Sequence, residues 1–412
     1  GAERRARDAD AAFAAGRDRG LLQGIPVSVK DIYGVPGLPT FSGSARELPA
    51  KWQEAGPLVK LLIDHHATIM GKTHTVEFAF GGVGMNKHWG TPRNPWDEKH
   101  HRVPGGSSSG AGVSLFQGSA IVALGTDTAG SIRIPASLTG NVGYKPTIDR
   151  WSTRGISPLS RHLDTPGVLA RSVDDAFLAA GEFDRRMFGD RPGAIARARA
   201  AEKLRIGVPK DHFWDECEPS IAAGVRAALK DLERAGHRVT SIDFPEANGI
   251  REMFNAGGTT GVELLAFLRR ELPDWLAILD PNVGGRMQAV SQVAAVDYVQ
   301  RMNTWQELAQ RVLPRFDDID VVMTPTIPIP PPRMDEIPDN DRYRHYNLLL
   351  LRNTHAANYL RLCALTIPVG LDTLGLPIGL QVMAAPLRDD LLFAAGLAVE
   401  KALGTLRARI GR

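Results

Sequence analysis

Apolar and polar positions first alternate at residues 25–30, where Ile25, Val27 and Val29 interleave with Pro26, Ser28 and Lys30. Successive side chains of a strand point to opposite faces, so this pattern predicts a strand that buries the first set and carries Ser28 and Lys30 on its other face. Leu58, Leu61 and Leu62 predict a helix over 58–65, and Ala67-Thr68-Ile69-Met70 a short buried strand. After Gly110 a helical stretch to about Gln117 precedes the apolar run Ala120-Ile121-Val122-Ala123-Leu124. A strand-like piece over 204–208, an amphipathic helix over 220–235 and a strand over 238–244 follow. From 246 to 316 the pattern is helical, and Tyr298, Met302, Trp305, Ala309 and Val312 recur at spacings of four and three, the mark of one buried helix face. A strand over 319–323, a proline-rich tract over 324–332 read as a rigid loop, two strands across 364–383 around the 372–375 turn, and a terminal helix complete the order. Strands alternating with helices place the chain in the α/β class, and no solenoid-length repeat occurs.

Composition narrows this picture. The 412 residues are 43% hydrophobic and 23% charged, ordinary for a globular protein, with a net charge of only +3. Basic residues are dispersed among acids, which argues against nucleic acid or an acidic membrane as partner. No uncharged apolar run reaches the roughly 18 to 20 residues that span a bilayer. The two cysteines, Cys217 and Cys363, suggest a reduced compartment rather than a disulfide framework, and a cytoplasmic protein is expected. Residues 2–19 are rich in Ala, Arg and Asp and helix-prone, with Gly16 and Gly20 weakening the end.

The chemistry concentrates in three strings: Val27-Ser28-Val29-Lys30-Asp31, Pro104-Gly105-Gly106-Ser107-Ser108-Ser109-Gly110, and Gly125-Thr126-Asp127-Thr128-Ala129-Gly130-Ser131-Ile132-Arg133. Singly, each has a bland reading as a solvated charge, a linker or a turn. The 81–112 region that holds the second string is rich in Gly, Pro, Asn and Ser and too long for a simple connector, as functional loops are. Histidines offer a rival chemistry, but the adjacent pairs His65-His66 and His100-His101 are poorly spaced to converge on one ion. A phosphate-binding reading of the Gly-rich loop is weak, since it lacks the Walker spacing to a Gly-Lys-Ser/Thr end and no GxGxxG follows the first strand.

Together and in this order, the three strings resemble the amidase signature family of serine hydrolases, over nearly the whole chain to the C-terminal PVGLDTLGLPIGLQVM. The resemblance implies Ser131 as nucleophile, Ser107 as the serine of a cis peptide and Lys30 as general base; Ser107 and Ser131 stand 24 positions apart, as in the family. A serine hydroxyl needs a neighbouring base, and lysine serves only when neutral. Lowering its pKa from about 10.4 toward 7 takes roughly 4 to 5 kcal/mol of differential solvation, which burial at a strand end supplies. Asp31 should point away from Ser28 and Lys30. Backbone N–H groups of Thr128, Ala129, Gly130 and Ser131 are the expected oxyanion donors. Ala129 replaces a glycine of the family pattern, which bears on substrate scope. Asp127 and Arg133 are expected to pair and fix the turn, with substrate-carboxylate recognition by Arg133 as the alternative. Ser108 and Ser109 are expected to orient Ser107 and cap the following helix.

The resemblance further implies a single large α/β/α domain around a mixed, mostly parallel sheet, over about 21–405, with the 246–316 helices shaping the acyl pocket. Residues 1–20 read as a helical remnant of a longer, truncated N-terminal region. No cofactor or metal is expected, the substrate is a small-molecule amide, and a homodimer is a possible assembly. The expected reaction is carboxamide hydrolysis through a Ser131 acyl-enzyme. Alternatives are hydrolysis of a ureido or carbamoyl amide, as in allophanate-type members, the glutamine-hydrolysing subunit of a tRNA-dependent amidotransferase, and a catalytically inactive binding homologue.

Overall fold

The computed structural model describes residues 1–188, 201, 203–210 and 212–410. Its centre is a ten-stranded sheet built from β1 (Pro26–Lys30), β2 (Thr68–Thr73), β3 (Val122–Asp127), β4 (Val142–Lys145), β5 (Thr165–Ala170), β6 (Arg205–Pro209), β7 (Arg238–Ile242), β8 (Val321–Pro325), β9 (Cys363–Leu371) and β10 (Pro377–Ala384). The strand order is β2-β1-β3-β5-β4-β9-β10-β8-β6-β7, one continuous sheet in a single large domain.

The sheet is mixed, as expected, but not mostly parallel. Among the described residues the parallel pairs lie at the two wings, β2-β1-β3 and β8-β6-β7. The centre, from β3 through β5, β4, β9 and β10 to β8, is antiparallel. The difference arises from β4 and β5, which sequence periodicity did not reveal. Both are buried throughout, so no polar face alternates with an apolar one.

Helices cover both faces. In β1, Val27 and Val29 are buried as predicted, and Ser28 and Lys30 are buried as well. Ser28 reaches the helix Ser109–Phe116, its hydroxyl 2.9 Å from that of Ser114. Asp31 turns the other way, to Lys72 Nζ at 2.9 Å and the backbone N–H groups of Phe41 and Gly43.

The predicted helical stretch comprises Pro245–Asn255, Thr260–Glu271, Pro281–Val290 and Ala295–Arg311. Of its predicted face, Trp305, Ala309 and Val312 are buried while Tyr298 and Met302 are half-covered. The proline tract after β8 is pinned by Arg102 Nη1 to the Pro331 carbonyl at 2.8 Å and by the N–H of Val103 to Pro332 at 2.9 Å. Helices Asn340–Leu351 and His355–Tyr359 lie in the chain between this tract and β9, where the sequence pattern gave no forecast. Among the described residues, no helix is long and apolar enough to cross a membrane.

Candidate active site

Parallel strands β1 and β3 are neighbours, with Val29 opposite Leu124. Their C-terminal ends therefore emerge at one edge of the sheet, the place where open parallel sheets assemble sites. This puts Lys30, the last residue of β1, beside the turn that follows Asp127, the last residue of β3. The ammonium-bearing end of Lys30 is buried, with Nζ 2.7 Å from Ser107 Oγ and 2.9 Å from Thr126 Oγ1. Burial pushes the Lys30 pKa down to about 7, against the opposing pull of Asp164 and Asp127.

The Gly106–Ser107 peptide is cis. Ser108 donates its N–H to the Ser131 carbonyl at 3.2 Å, so the two serine strings lie against each other. Among the described residues no hydrogen bond joins the Ser107 and Ser131 hydroxyls themselves. Ser131 is instead part of the wall of a cavity of about 380 Å³, with Thr128 and Ala129 beside it. Phe254, Thr260, Asn282, Arg286 and Val290 of the helical stretch line the same cavity.

The turn is held from beneath. Asp127 and Arg133 form a fully buried ion pair, with Nη2 2.9 Å from Oδ1 and Nε 3.0 Å from Oδ2. Burial works to raise the Asp127 pKa, but the Arg133 charge outweighs it and the pKa lies at about 2. Arg133 also donates to the Thr354 carbonyl, Gln381 and Asn358, which leaves the guanidinium shut away from the cavity. The geometry is that of a pair fixing the turn and offers nothing to a substrate carboxylate.

Two expected details are corrected. The Gly130 N–H donates to Asp127 Oδ1 at 2.8 Å, so it is already engaged; among the described residues, the N–H groups of Thr128, Ala129 and Ser131 carry no such bond. The serine caps are also absent. Ser108 Oγ contacts the Thr126 carbonyl at 3.4 Å rather than a helix N–H, and Ser109 Oγ lies 2.7 Å from His74 Nδ1. These hydroxyls tie the cis segment to β3 and to the chain after β2 instead of closing a helix end. Gly130 has φ 137°, and a Cβ there would fall 2.1 Å from the Thr354 hydroxyl, so this position requires glycine. Ala129 keeps a negative φ and presents its methyl group to the cavity.

Sequence reasoning missed Thr126 as a partner of Lys30, and it missed Asp164. That carboxylate is buried, which raises its pKa to about 6, and it accepts from the Thr128 hydroxyl at 2.6 Å and the Leu159 N–H at 2.8 Å. No local string marks Asp164; only the fold brings it under the turn. A second buried lysine, Lys145, has its pKa lowered by burial to about 8 but contacts the Pro146 carbonyl rather than a serine. Among the described residues, no group of three or more His, Cys, Asp or Glu side chains is placed to hold a metal ion.

Comparison with known proteins agrees with the geometry. The model of the Amidase family matches residues 1–393. The chain belongs to the amidase family. This amidase is 48% identical over 396 residues to the 2-amino-5-chloromuconic acid deaminase of Comamonas testosteroni, a match covering 96% of this chain and 85% of that one. It is 35% identical to an amidase of Pseudomonas putida, over 94% of this chain and 83% of the relative. A crystal structure of an amidase superposes with a TM-score of 0.87 at 29% identity, covering 98% of this chain and 90% of that chain. The chain is thus an amide hydrolase, cleaving a carboxamide C–N bond.

Proposed function

We propose that this amidase works through a Ser131 acyl-enzyme, with Ser107 and Lys30 carrying the proton. Neutral Lys30 donates to Thr126 and accepts from Ser107, and Ser107 accepts the proton of Ser131 as Oγ attacks the amide carbon. The carbonyl electron pair moves onto oxygen, where the N–H groups of Thr128, Ala129 and Ser131 receive it. Donors of this kind are each typically worth about 2.7 to 4 kcal/mol to the transition state. As the oxyanion collapses the C–N bond breaks, and the lysine proton returns through Ser107 to the departing nitrogen, which leaves as ammonia or an amine. Water then enters by the same base catalysis and releases the carboxylate and free Ser131.

The observation that carries this reading is a lysine with a pKa near 7, buried 2.7 Å from the hydroxyl of the cis-serine. A general base poised near the working pH is what such proton transfer needs. The absent bond between Ser107 and Ser131 is consistent with catalytic contacts that tighten only around substrate. The deaminase name of the Comamonas testosteroni relative supports ammonia as the leaving group. We place the enzyme in the cytoplasm, in keeping with its two free thiols.

Ammonia release from a panel of aliphatic, aryl, dicarboxylic and ureido amides tests the reading. Ser131→Ala is expected to lose turnover by several orders of magnitude and to escape labelling by a fluorophosphonate probe. Unchanged turnover in that variant would sink the proposal.

A further inference from the structure

The helix Pro281–Val290 presents Arg286 to the cavity that Ser131 lines. Among the described residues Arg286 has no salt bridge. Its Nε donates to the Asn282 carbonyl at 2.9 Å, one Nη donates to the Phe80 carbonyl, and the guanidinium lies 3.8 Å from the centre of the Phe80 ring. The remaining nitrogen, Nη1, has no acceptor among the described residues.

Two further donors are left unused nearby. The Tyr343 hydroxyl, on the facing helix Asn340–Leu351, is buried without a hydrogen-bond partner, and so is Asn282 Nδ2, one turn before Arg286. All three residues line the cavity. Gly81 shows how closely two of them converge, since a Cβ built on it would lie 2.3 Å from the Tyr343 hydroxyl and 3.6 Å from Arg286 Nη2. Buried donors without acceptors are costly, and a cation without a counter-ion more so, unless a ligand completes them.

The nearby carboxylates do not fill this role. Asp280 attracts Arg286 at a distance, but its oxygens accept the N–H groups of Asn282 and Lys87. Asp341 and Arg344, also in the wall, are exposed and of opposite sign. The lining also includes the apolar residues Ala129, Leu159, Phe254, Val290 and Leu351.

We infer that Arg286, Tyr343 and Asn282 form a carboxylate subsite, and that the substrate is the monoamide of a dicarboxylic acid with a short hydrocarbon linker. The inference rests on the Ser131 reading for the position of the scissile amide, but not for the anion site itself. A carboxylate accepts from all three donors and neutralises the lone guanidinium, while the linker meets the apolar walls. Hydrogen bonds to a charged group of this kind correspond to roughly ten- to a hundredfold in affinity.

The test compares hexanamide with adipamic acid, amides of equal chain length that differ in a terminal carboxylate. The ratio of kcat/KM is expected to favour adipamic acid by at least about tenfold, to fall to near one in Arg286→Met, and to drop several-fold in Tyr343→Phe. Circular dichroism checks that each variant is folded; if Arg286→Met is not, Tyr343→Phe alone decides. A ratio near one in the unaltered enzyme, or a ratio that persists in the folded variants, overturns the subsite. If neither amide is turned over, the subsite is judged apart from the reaction, by calorimetry of adipate and hexanoate on Ser131→Ala. Tighter binding of adipate that is lost with Arg286→Met supports the subsite, and equal binding of the two acids overturns it.

Discussion

At the scale of single residues, the proposed chemistry turns on Lys30. Burial removes the water that would stabilise its ammonium form, and the pull of Asp164 and Asp127 offsets this only in part, so the pKa falls to about 7. A base with a lowered pKa is charged and idle below that value and neutral and competent above it. The account therefore predicts that kcat/KM falls as pH drops through about 7, approaching tenfold per unit on the acid side; a rate profile from about pH 5 to 9 measures it. A profile flat through neutrality would contradict Lys30 as the titrating base. Lys30, Ser107 and Ser131 were singled out in the sequence because the three short strings that hold them, taken together and in order, resemble the pattern of the family. Thr126, Asp164, Arg286 and Tyr343 were not, since each acquires its partner or its cavity only through contacts across the fold.

At the scale of elements, the site depends on two strand ends and the turn beyond the second. The parallel register of β1 and β3 places Lys30 beside Thr126, and the Asp127–Arg133 pair anchors the turn to Asn358, Gln381 and the Thr354 carbonyl. Removing Arg133 would leave Asp127 charged in a fully buried place. Arg133→Ala is accordingly expected to destabilise the fold by roughly 3 to 5 kcal/mol, read from the urea midpoint, and Arg133→Lys only partly to restore it. A loss within experimental error would show that the pair is dispensable. Strands with alternating or strongly apolar runs were foreseen from their pattern. β4 and β5, VGYK and TPGVLA, were not, because glycine and proline interrupt them and neighbours on both sides define them as strands.

At the scale of the whole molecule, a continuous sheet brings together segments far apart in sequence. The cavity draws on residues 79–81, on the turn after β3, on the helical stretch and on the helix Asn340–Leu351. The helical stretch was recognisable as a unit, but which of its side chains reach the cavity depends on how four helices pack, and periodicity does not encode that. The sheet edge thus holds the proposed reacting groups, and residues of the helical layer line the cavity beside them. The proposed mechanism requires that Ser131 becomes covalently acylated during turnover. Acid quenching of the enzyme in the steady state with a slowly hydrolysed amide, followed by peptide mass spectrometry, tests this most directly. The mass of the acyl group is expected on the Ser131 peptide and none in Ser131→Ala; a Ser131 left unmodified while the unaltered enzyme turns over, turnover that persists in Ser131→Ala, or the acyl group on another residue would contradict it.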